Sequence, residues 1–223
     1  MLKIRKGQAD IISAVIIIII AIGLVGTAYT WGLPLIQKRQ DQAVVDRTFS
    51  YFNQDNANSL TKRIESIARN GGDETFSVDV NGLWILSPCS NVGSCGSNGA
   101  SDETNSIDFA VFSRVSNVGI NKGWITLSST DSCPPGVGTV GQNSYVVCVR
   151  ADNFGNGYNI TYKVQFRELD ENPTKGFKIV LLPQLSNLNT SSSKSIRLTR
   201  GNVYSTDISG KTLIITEVKI LLG

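Results

Sequence analysis

Four cysteines are the side chains in this chain best suited to redox or soft-metal chemistry, and there is no histidine among its 223 residues. Cys-His zinc sites, Ser-His-Asp triads and Cys-His dyads all require an imidazole, so none of them can form. The cysteines therefore either form disulfides or remain as reduced, buried thiols.

The spacing of the cysteines indicates two short covalent loops. Four cysteines allow three pairings. We predict that Cys89 pairs with Cys95 and Cys133 with Cys148, because each pair lies within one predicted loop or at its strand edge. Each bond would add about 2–4 kcal/mol by restricting the unfolded chain.

Two short motifs imitate ligand sites. Residues 136–141 match G-x-G-x-x-G, but Pro134 precedes them and a strand-like segment follows, whereas a dinucleotide site needs a helix there. Residues 152–157 resemble the start of a calcium loop, but Phe154 and Lys163 occupy two of the ligand positions. Both motifs are predicted to be turns or loops, with no cofactor and no metal.

Adjacent acidic residues occur at 73–74, 102–103 and 170–171, all in predicted loops. Catalytic carboxylates must converge in a cleft, whereas neighbouring acids in loops are usually solvated. The sequence offers no catalytic set, so we expect that the protein is not an enzyme.

The excess positive charge is confined to the N-terminus. The chain has 21 basic and 18 acidic residues, and Lys3, Arg5 and Lys6 account for the whole net charge of +3. A nucleic-acid-binding domain needs a basic surplus to neutralise phosphates. We expect no nucleic-acid partner.

An uncharged, strongly apolar segment follows these basic residues. It extends over residues 11–36 and includes five consecutive isoleucines at 16–20. A secretory signal has a shorter apolar stretch and a small-residue cleavage site after it. About 20 apolar residues in a helix span a bilayer, and the basic residues would keep the N-terminus in the cytoplasm.

The junction before this segment resembles a class III signal peptide. Lys6-Gly7-Gln8 stands directly before the apolar run, and in this respect the chain is similar to archaeal type IV pilins. The resemblance implies that a prepilin peptidase removes residues 1–7 by cutting between Gly7 and Gln8. It departs from bacterial pilins, which usually begin with Phe and carry Glu at mature position five, where this chain has Ile12.

The resemblance also implies a function and partners. The segment at 8–36 would first hold the subunit in the membrane and then pack against copies of itself in an extracellular filament. The expected partners are other copies of the chain, the prepilin peptidase and the pilus assembly machinery. Adhesion would depend on exposed loops.

The helical pattern extends beyond the apolar segment and predicts one helix from 8 to 70, about 90 Å long. Gly71 and Gly72 end the pattern, and Pro34 is expected to kink or locally melt the helix. The apolar residues at helical spacing are Val45, Phe49, Phe52, Leu60, Ile64 and Ile67.

The remainder, 73–223, predicts an all-β domain. Asn81-Gly82 between two strand candidates is a strong hairpin signal. The predicted class is α+β: a long N-terminal helix followed by an antiparallel, Ig-like β-sandwich. The candidate strands are 75–80, 83–87, 107–116, 123–128, 144–150, 158–169, 177–182, 195–199 and 212–222.

Two tripeptides have the form of N-glycosylation sites. They begin at Asn159 and Asn189. Asn189 lies in a polar loop and is the better candidate, since Asn159 falls within a predicted strand.

Two other functions share the same anchor and sandwich. One is a membrane-anchored accessory protein whose β domain binds another component of the cell envelope. The other is an ectoenzyme or solute-binding protein, which the lack of a convergent catalytic set disfavours.

Overall fold

Two helices open the fold. The computed structural model describes residues 6–89, 105–120, 122–128, 131–186, 188–208 and 210–223. Helix α1 is Lys6–Phe52 and helix α2 is Leu60–Asn70. The chain divides into two compact units, one up to Asp41 and one from Gln42 to Gly223. The last turns of α1 therefore belong to the same unit as the β domain.

The predicted single helix from 8 to 70 is wrong, because the chain leaves helical geometry after Phe52. Short polar side chains compete for the backbone there. Asp55 N donates to Asn53 Oδ1 at 3.1 Å, and Asn58 N donates to Asn56 Oδ1 at 3.0 Å. The helical spacing of apolar residues survives this break, which is why the pattern alone did not reveal it.

Pro34 does not interrupt the helix. The helical assignment runs through it without a gap, so the predicted local melting is not observed. Proline has no N–H, so the carbonyl of Thr30 lacks its usual helical donor.

In the described part of the chain, twelve strands form two six-stranded sheets that together make a sandwich. Sheet A has the order β1-β11-β12-β9-β8-β5, and sheet B has the order β10-β2-β3-β7-β6-β4. The strands are β1 Asp73–Ser77, β2 Leu83–Ser87, β3 Ser106–Ser113, β4 Ile125–Thr126, β5 Gly138–Thr139, β6 Tyr145–Phe154, β7 Gly157–Phe166, β8 Glu168–Asn172, β9 Lys175–Pro183, β10 Thr190–Ser191, β11 Ser195–Ile208 and β12 Lys211–Leu222.

The sandwich confirms the predicted α+β class. Most neighbouring strands are antiparallel, but β12 pairs with β9 and β5 pairs with β8 in parallel. The predicted strand at 158–169 is divided into β7 and β8, because the chain passes from sheet B to sheet A at Arg167.

The predicted hairpin at Asn81-Gly82 is wrong. Strand β1 pairs with β11 in sheet A, whereas β2 pairs with β3 in sheet B. Gly82 is needed for a close approach instead, since a Cβ there would lie 2.7 Å from the carbonyl oxygen of Ala110. The glycine that suggested a tight turn therefore lets the chain cross between the sheets.

Two of the hairpins turn at a glycine with a positive φ. Strands β6 and β7 are joined at Gly155, with φ +57°, and β11 and β12 at Gly210, with φ +84°. A left-handed backbone at the turn suits the right-handed twist of the strands on either side.

Aromatic side chains connect α1 to the core of the sandwich. Phe52 is fully buried and stacks on Tyr162 with a centroid distance of 5.2 Å. It also lies 6.1 Å from Phe109, whose ring is 4.3 Å from that of Trp84. Such pairs contribute about 0.5–1.5 kcal/mol each beyond their buried area. The end of α1 is therefore part of the core.

A buried lysine lowers the stability of the folded domain at neutral pH. Lys178 on β9 is 3% exposed and lies opposite Glu168 on β8. Burial lowers the pKa of Lys178 to about 8, and the negative charge of Glu168 offsets only part of that effect. Glu168 itself pairs with Lys211.

We expect the free energy of unfolding to contain a term that rises between about pH 8 and pH 10.5. Over this range folded Lys178 loses its proton while the unfolded lysine, with its ordinary pKa of 10.5, keeps it. Lys178→Met should remove the rise and stabilise the protein by about 1–3 kcal/mol at pH 7. Urea unfolding of both proteins at pH 7, 8 and 10 measures this, and equal pH slopes would contradict it.

Candidate assembly surface

The apolar part of α1 exposes nearly all of its large side chains. None of residues 11–36 carries a charge. The helix is long and apolar enough to cross a membrane, with a mean hydropathy of 2.5 over its most apolar window, none of which is buried. The exposed apolar side chains are Ile12, Val15, Ile16, Ile17, Ile18, Ile19, Ile20, Ile22, Leu24, Val25, Tyr29, Trp31, Leu33, Leu35 and Ile36.

Two hydroxyl groups in this segment are satisfied within the helix itself. Thr27 Oγ1 donates to the carbonyl of Gly23 at 2.7 Å, and Thr30 Oγ1 donates to the carbonyl of Thr27 at 3.0 Å. Helical backbone groups also pair internally. The segment can therefore enter an environment without water while leaving few polar groups unpaired.

Three glycines leave parts of this surface open. A Cβ added at Gly23, Gly26 or Gly32 would meet nothing within 4 Å. Small residues let helix backbones approach closely, and close approach increases van der Waals contact between packed helices. These positions suit contact with another helix.

Aromatic residues mark one end of the apolar segment. Tyr29 and Trp31 are 67% and 81% exposed, and Lys38 and Arg39 follow shortly after them. Tyr and Trp favour the boundary between lipid and water, with basic residues beyond it. The helix is thus compatible with membrane insertion.

The predicted cleavage junction lies at the start of α1. Gly7 and Gln8 have helical backbones, while residues 1–5 lie outside the described part of the chain. Cleavage between Gly7 and Gln8 stays a prediction.

A polar cluster that sequence reasoning missed joins the end of α1 to the β domain. Tyr51 Oη donates to Asp79 Oδ1 at 2.5 Å, and Arg47 Nη1 lies 3.0 Å from Asp79 Oδ2. The backbone N–H of Asp79 donates in turn to Tyr51 Oη at 3.1 Å. No sequence signal connects these residues, since Arg47 and Tyr51 are 32 and 28 positions away from Asp79.

The charges in this cluster act on each other. The hydrogen bond from Tyr51 and the positive charge of Arg47 lower the pKa of Asp79. The pKa of Tyr51 is raised, mainly by burial and next by its hydrogen bond to Asp79. Asp79 thus remains an acceptor at neutral pH. The cluster fixes the last turns of α1 on the connection between β1 and β2.

The structure contains the predicted Cys133–Cys148 disulfide. The two Cα atoms are 6.1 Å apart, and the bond links the segment before β5 to β6. Cys89 is also disulfide-bonded, but its predicted partner Cys95 lies outside the described residues.

The two predicted glycosylation sites differ in access. Asn189 is exposed and precedes the short edge strand β10. Asn159 is half-buried in β7, where it pairs with Phe112 on β3 and Asp152 on β6. Asn189 is therefore the more accessible acceptor, and glycan occupancy at both sites stays a prediction.

The two motifs that imitate ligand sites are structural. Residues 138–139 form β5, and the next regular element is β6 and not a helix. Residues 152–157 form the end of β6 and its turn into β7, and Asp152 pairs with Arg150.

The acidic pairs lie in strands, which corrects the prediction of loops. Those at 73–74 belong to β1 and those at 170–171 to β8; 102–103 lie outside the described residues. Each described acid has a basic partner: Asp73 with Arg197, Glu74 with Arg63, Asp170 with Lys211 and Glu171 with Lys175.

A cavity of about 780 Å³ lies between α2 and sheet A. Glu65 on α2 accepts a hydrogen bond from Ser144 Oγ at 2.7 Å and lies 3.9 Å from Lys62 Nζ. Phe177, Ile179 and Ile214 also line it. Among the described residues, no group of three or more His, Cys, Asp or Glu side chains could hold a metal ion.

No protein-family model, curated protein or solved structure matches the chain.

Proposed function

We propose that the protein is the structural subunit of an extracellular, archaeal-type type IV pilus. The observation that carries the proposal is an uncharged helical surface of about 25 residues, with no buried residue in its most apolar window and a folded β-sandwich after it. Burying apolar area contributes about 25 cal/mol per Å². Two environments can cover such a surface: lipid, and other copies of the same helix.

The proposed assembly uses both environments in turn. The segment at 8–36 holds the subunit in the membrane until the prepilin peptidase has removed residues 1–7. The assembly machinery then transfers the helix into a filament, where it packs against identical helices. No residue needs to react in this process, and the protein acts as a structural component and not as an enzyme.

The β domain would form the outer layer of the filament. Its core includes Phe52 at the end of α1, and Tyr51 and Arg47 bind Asp79 beside it. In a filament these contacts would hold the domain on the end of α1. Exposed loops, including the one at Asn189, would then be the surfaces available for adhesion and for glycans.

We expect mature protein from the native envelope to begin at Gln8. N-terminal peptide mapping of sheared surface filaments measures this, and negative-stain microscopy of the same sample shows the filaments. Gly7→Val should keep residues 1–7 attached and prevent filament formation, because the peptidase cuts after this glycine. The control Gly136→Val changes an exposed glycine far from the junction, where φ is not positive and an added Cβ meets nothing within 4 Å, so it should leave both the cut and the filaments unaffected.

The alternative function predicts the opposite pattern. A membrane-anchored accessory protein would begin at Met1 and remain in the membrane as a monomer or small oligomer. Native protein with an intact N-terminus and no filaments would reject the pilin proposal.

A further inference from the structure

Strand β11 has an open edge along its second half. Strand β1 covers β11 only from Ser195 to Thr199, and the last contact beyond is the N–H of Arg200 with the carbonyl of Gly72. On the other side, β11 pairs with β12 as far as Ile208. Within the described parts of the chain, no strand pairs with the outer edge from 201 to 208.

This edge lacks the features that usually keep strand edges from pairing. Natural proteins protect edges with lysine, proline, bulges or a covering element. The segment Val203-Tyr204-Ser205-Thr206 contains no charge and no proline, and its only nearby bulge lies before it, at 200–203. Val203 is 49% exposed and Tyr204 is 37% exposed. These residue types favour strands and bury area when a second strand is added.

We propose that this edge binds the same edge of a second copy, so that two β11 strands pair antiparallel about Ser205. This register aligns residues 202–208 of the two copies; at its first position the N–H of Asn202 already donates to Glu217 Oε2 at 3.1 Å, so the open backbone groups begin at Val203. It places Tyr204 opposite Thr206 twice, which is a favourable aromatic and β-branched combination. The two Asp207 carboxylates are four residues apart along the strands, about 13 Å, so they do not face each other.

The symmetry of this contact determines what it joins. A contact between identical surfaces closes after two copies, whereas a filament grows through unlike surfaces. The β11 edge therefore connects subunits of neighbouring filaments and does not extend a single filament. The strand pairing stands on the β domain alone, and its consequence, lateral bundling, rests on the proposed function.

The contact is small, and repetition strengthens it. Seven paired residues bury less than the 1,200–2,000 Å² of a standard stable interface. An isolated pair of subunits should associate weakly. Subunits repeated along two filaments bind together, and this multivalency raises the overall affinity without new contacts.

Site-specific cross-linking tests the pairing directly. Ser205→Cys places one thiol on each side of the two-fold axis, and the described native cysteines are all disulfide-bonded. We expect a short thiol-specific cross-linker to give a species of twice the subunit mass, from concentrated detergent-solubilised full-length protein and from filaments. Ser192→Cys is the matched control, since Ser192 is exposed but lies outside the strands. Equal cross-linking of the two variants would overturn the proposal.

A charged edge tests the consequence. Ser205→Lys should lower the number of filament bundles by about tenfold or more, because two lysines would meet at the two-fold axis between the paired strands. The length of single filaments should not change. Ser192→Lys should leave bundles intact. Bundles that persist with Ser205→Lys would also overturn the proposal. If no filaments form from the unmodified protein, the proposed function fails, and cross-linking in detergent still decides the strand pairing.

Discussion

Ile18→Lys should abolish filaments while leaving the protein in the membrane. Ile18 lies near the middle of the apolar segment and is 56% exposed in the single chain. In a filament core each copy would carry an unpaired ammonium group against its neighbours. Membrane-insertion scales give a cost of about 2.5–3.5 kcal/mol for lysine at a helix centre, and in a polymer this cost recurs at every subunit.

The membrane tolerates the same change better than the filament does. A helix in a bilayer can shift in depth, and the long lysine side chain can extend its charge toward the lipid boundary. A helix packed among copies of itself has neither freedom, and no described residue from 12 to 36 carries an acidic group that could pair with the new charge. If Ile18→Lys abolishes filaments but the protein still inserts into the membrane, the apolar helix is required for polymerisation and not only for anchoring.

The control is Gln40→Lys, which adds the same charge to an exposed polar position of the same helix. It should leave filament number unchanged, because Lys38 and Arg39 already make this part of the helix polar. Membrane fractionation and negative-stain microscopy of cells expressing each variant measure the two properties. Normal filaments with Ile18→Lys would show that this helix does not line the core.

The local pattern of apolar and polar residues was enough to predict the apolar helix, the sandwich and one disulfide. The uncharged run of isoleucines and valines specifies a helix by its length and composition, and α1 covers it. The sandwich follows from many short strands separated by glycine and polar turns. The Cys133–Cys148 bond follows from two cysteines near one strand edge. Each of these signals is a local one, which can be read from neighbouring residues without knowledge of the contacts in space.

Local pattern failed where one residue type can serve two purposes. Gly82 could have supplied a tight turn, but it provides space beside β3. Asn53 and Asn56 fit a helical pattern by position, yet their side chains hydrogen-bond to the backbone and end the helix. Choosing between such uses requires knowledge of what lies opposite in space.

Long-range polar contacts left no signal at all. The Tyr51–Asp79 pair joins residues 28 apart, and the hydrogen bonds of the Asn105 side chain reach residues 61 to 76 positions away. Asn105 lies between the candidate strands 83–87 and 107–116, and no pattern in the sequence indicates that it is fully buried. These residues position α1 and the two sheets, and spacing along the chain does not reveal them.

The side chain of Asn105 connects the two sheets. Its Nδ2 donates to the carbonyls of Phe166 and Ile179, at 3.0 and 2.8 Å, and its Oδ1 accepts from Leu181 N at 2.8 Å. Phe166 ends β7 in sheet B, whereas Ile179 and Leu181 lie on β9 in sheet A. The φ of Asn105 is +78°, a left-handed conformation that asparagine tolerates better than most residues.

Asn105→Gly should lower the free energy of unfolding by about 3 kcal/mol or more. Glycine keeps the positive φ without strain, so the loss reports chiefly the three side-chain hydrogen bonds, with a smaller part from the greater freedom of glycine in the unfolded chain. Removing them leaves two buried carbonyls and one buried N–H without partners, at about 1–3 kcal/mol each. Asn105→Ala should cost more, because a Cβ is strained at this φ.

Urea unfolding of the full chain in detergent measures these effects, followed by the change in tryptophan fluorescence as buried Trp84 becomes exposed. Asn153→Ala is the control, because Asn153 is exposed near the end of β6 and should change stability by less than about 0.5 kcal/mol. Asn105→Asp tests whether the hydrogen bonds or the shape of the side chain matter. The carboxylate fills the same space, but it presents an oxygen acceptor to the two carbonyls in place of the N–H donors. It should therefore lower the free energy of unfolding at least as much as Asn105→Gly. A loss below about 1 kcal/mol for Asn105→Gly would mean that apolar packing joins the sheets and that the buried amide contributes little.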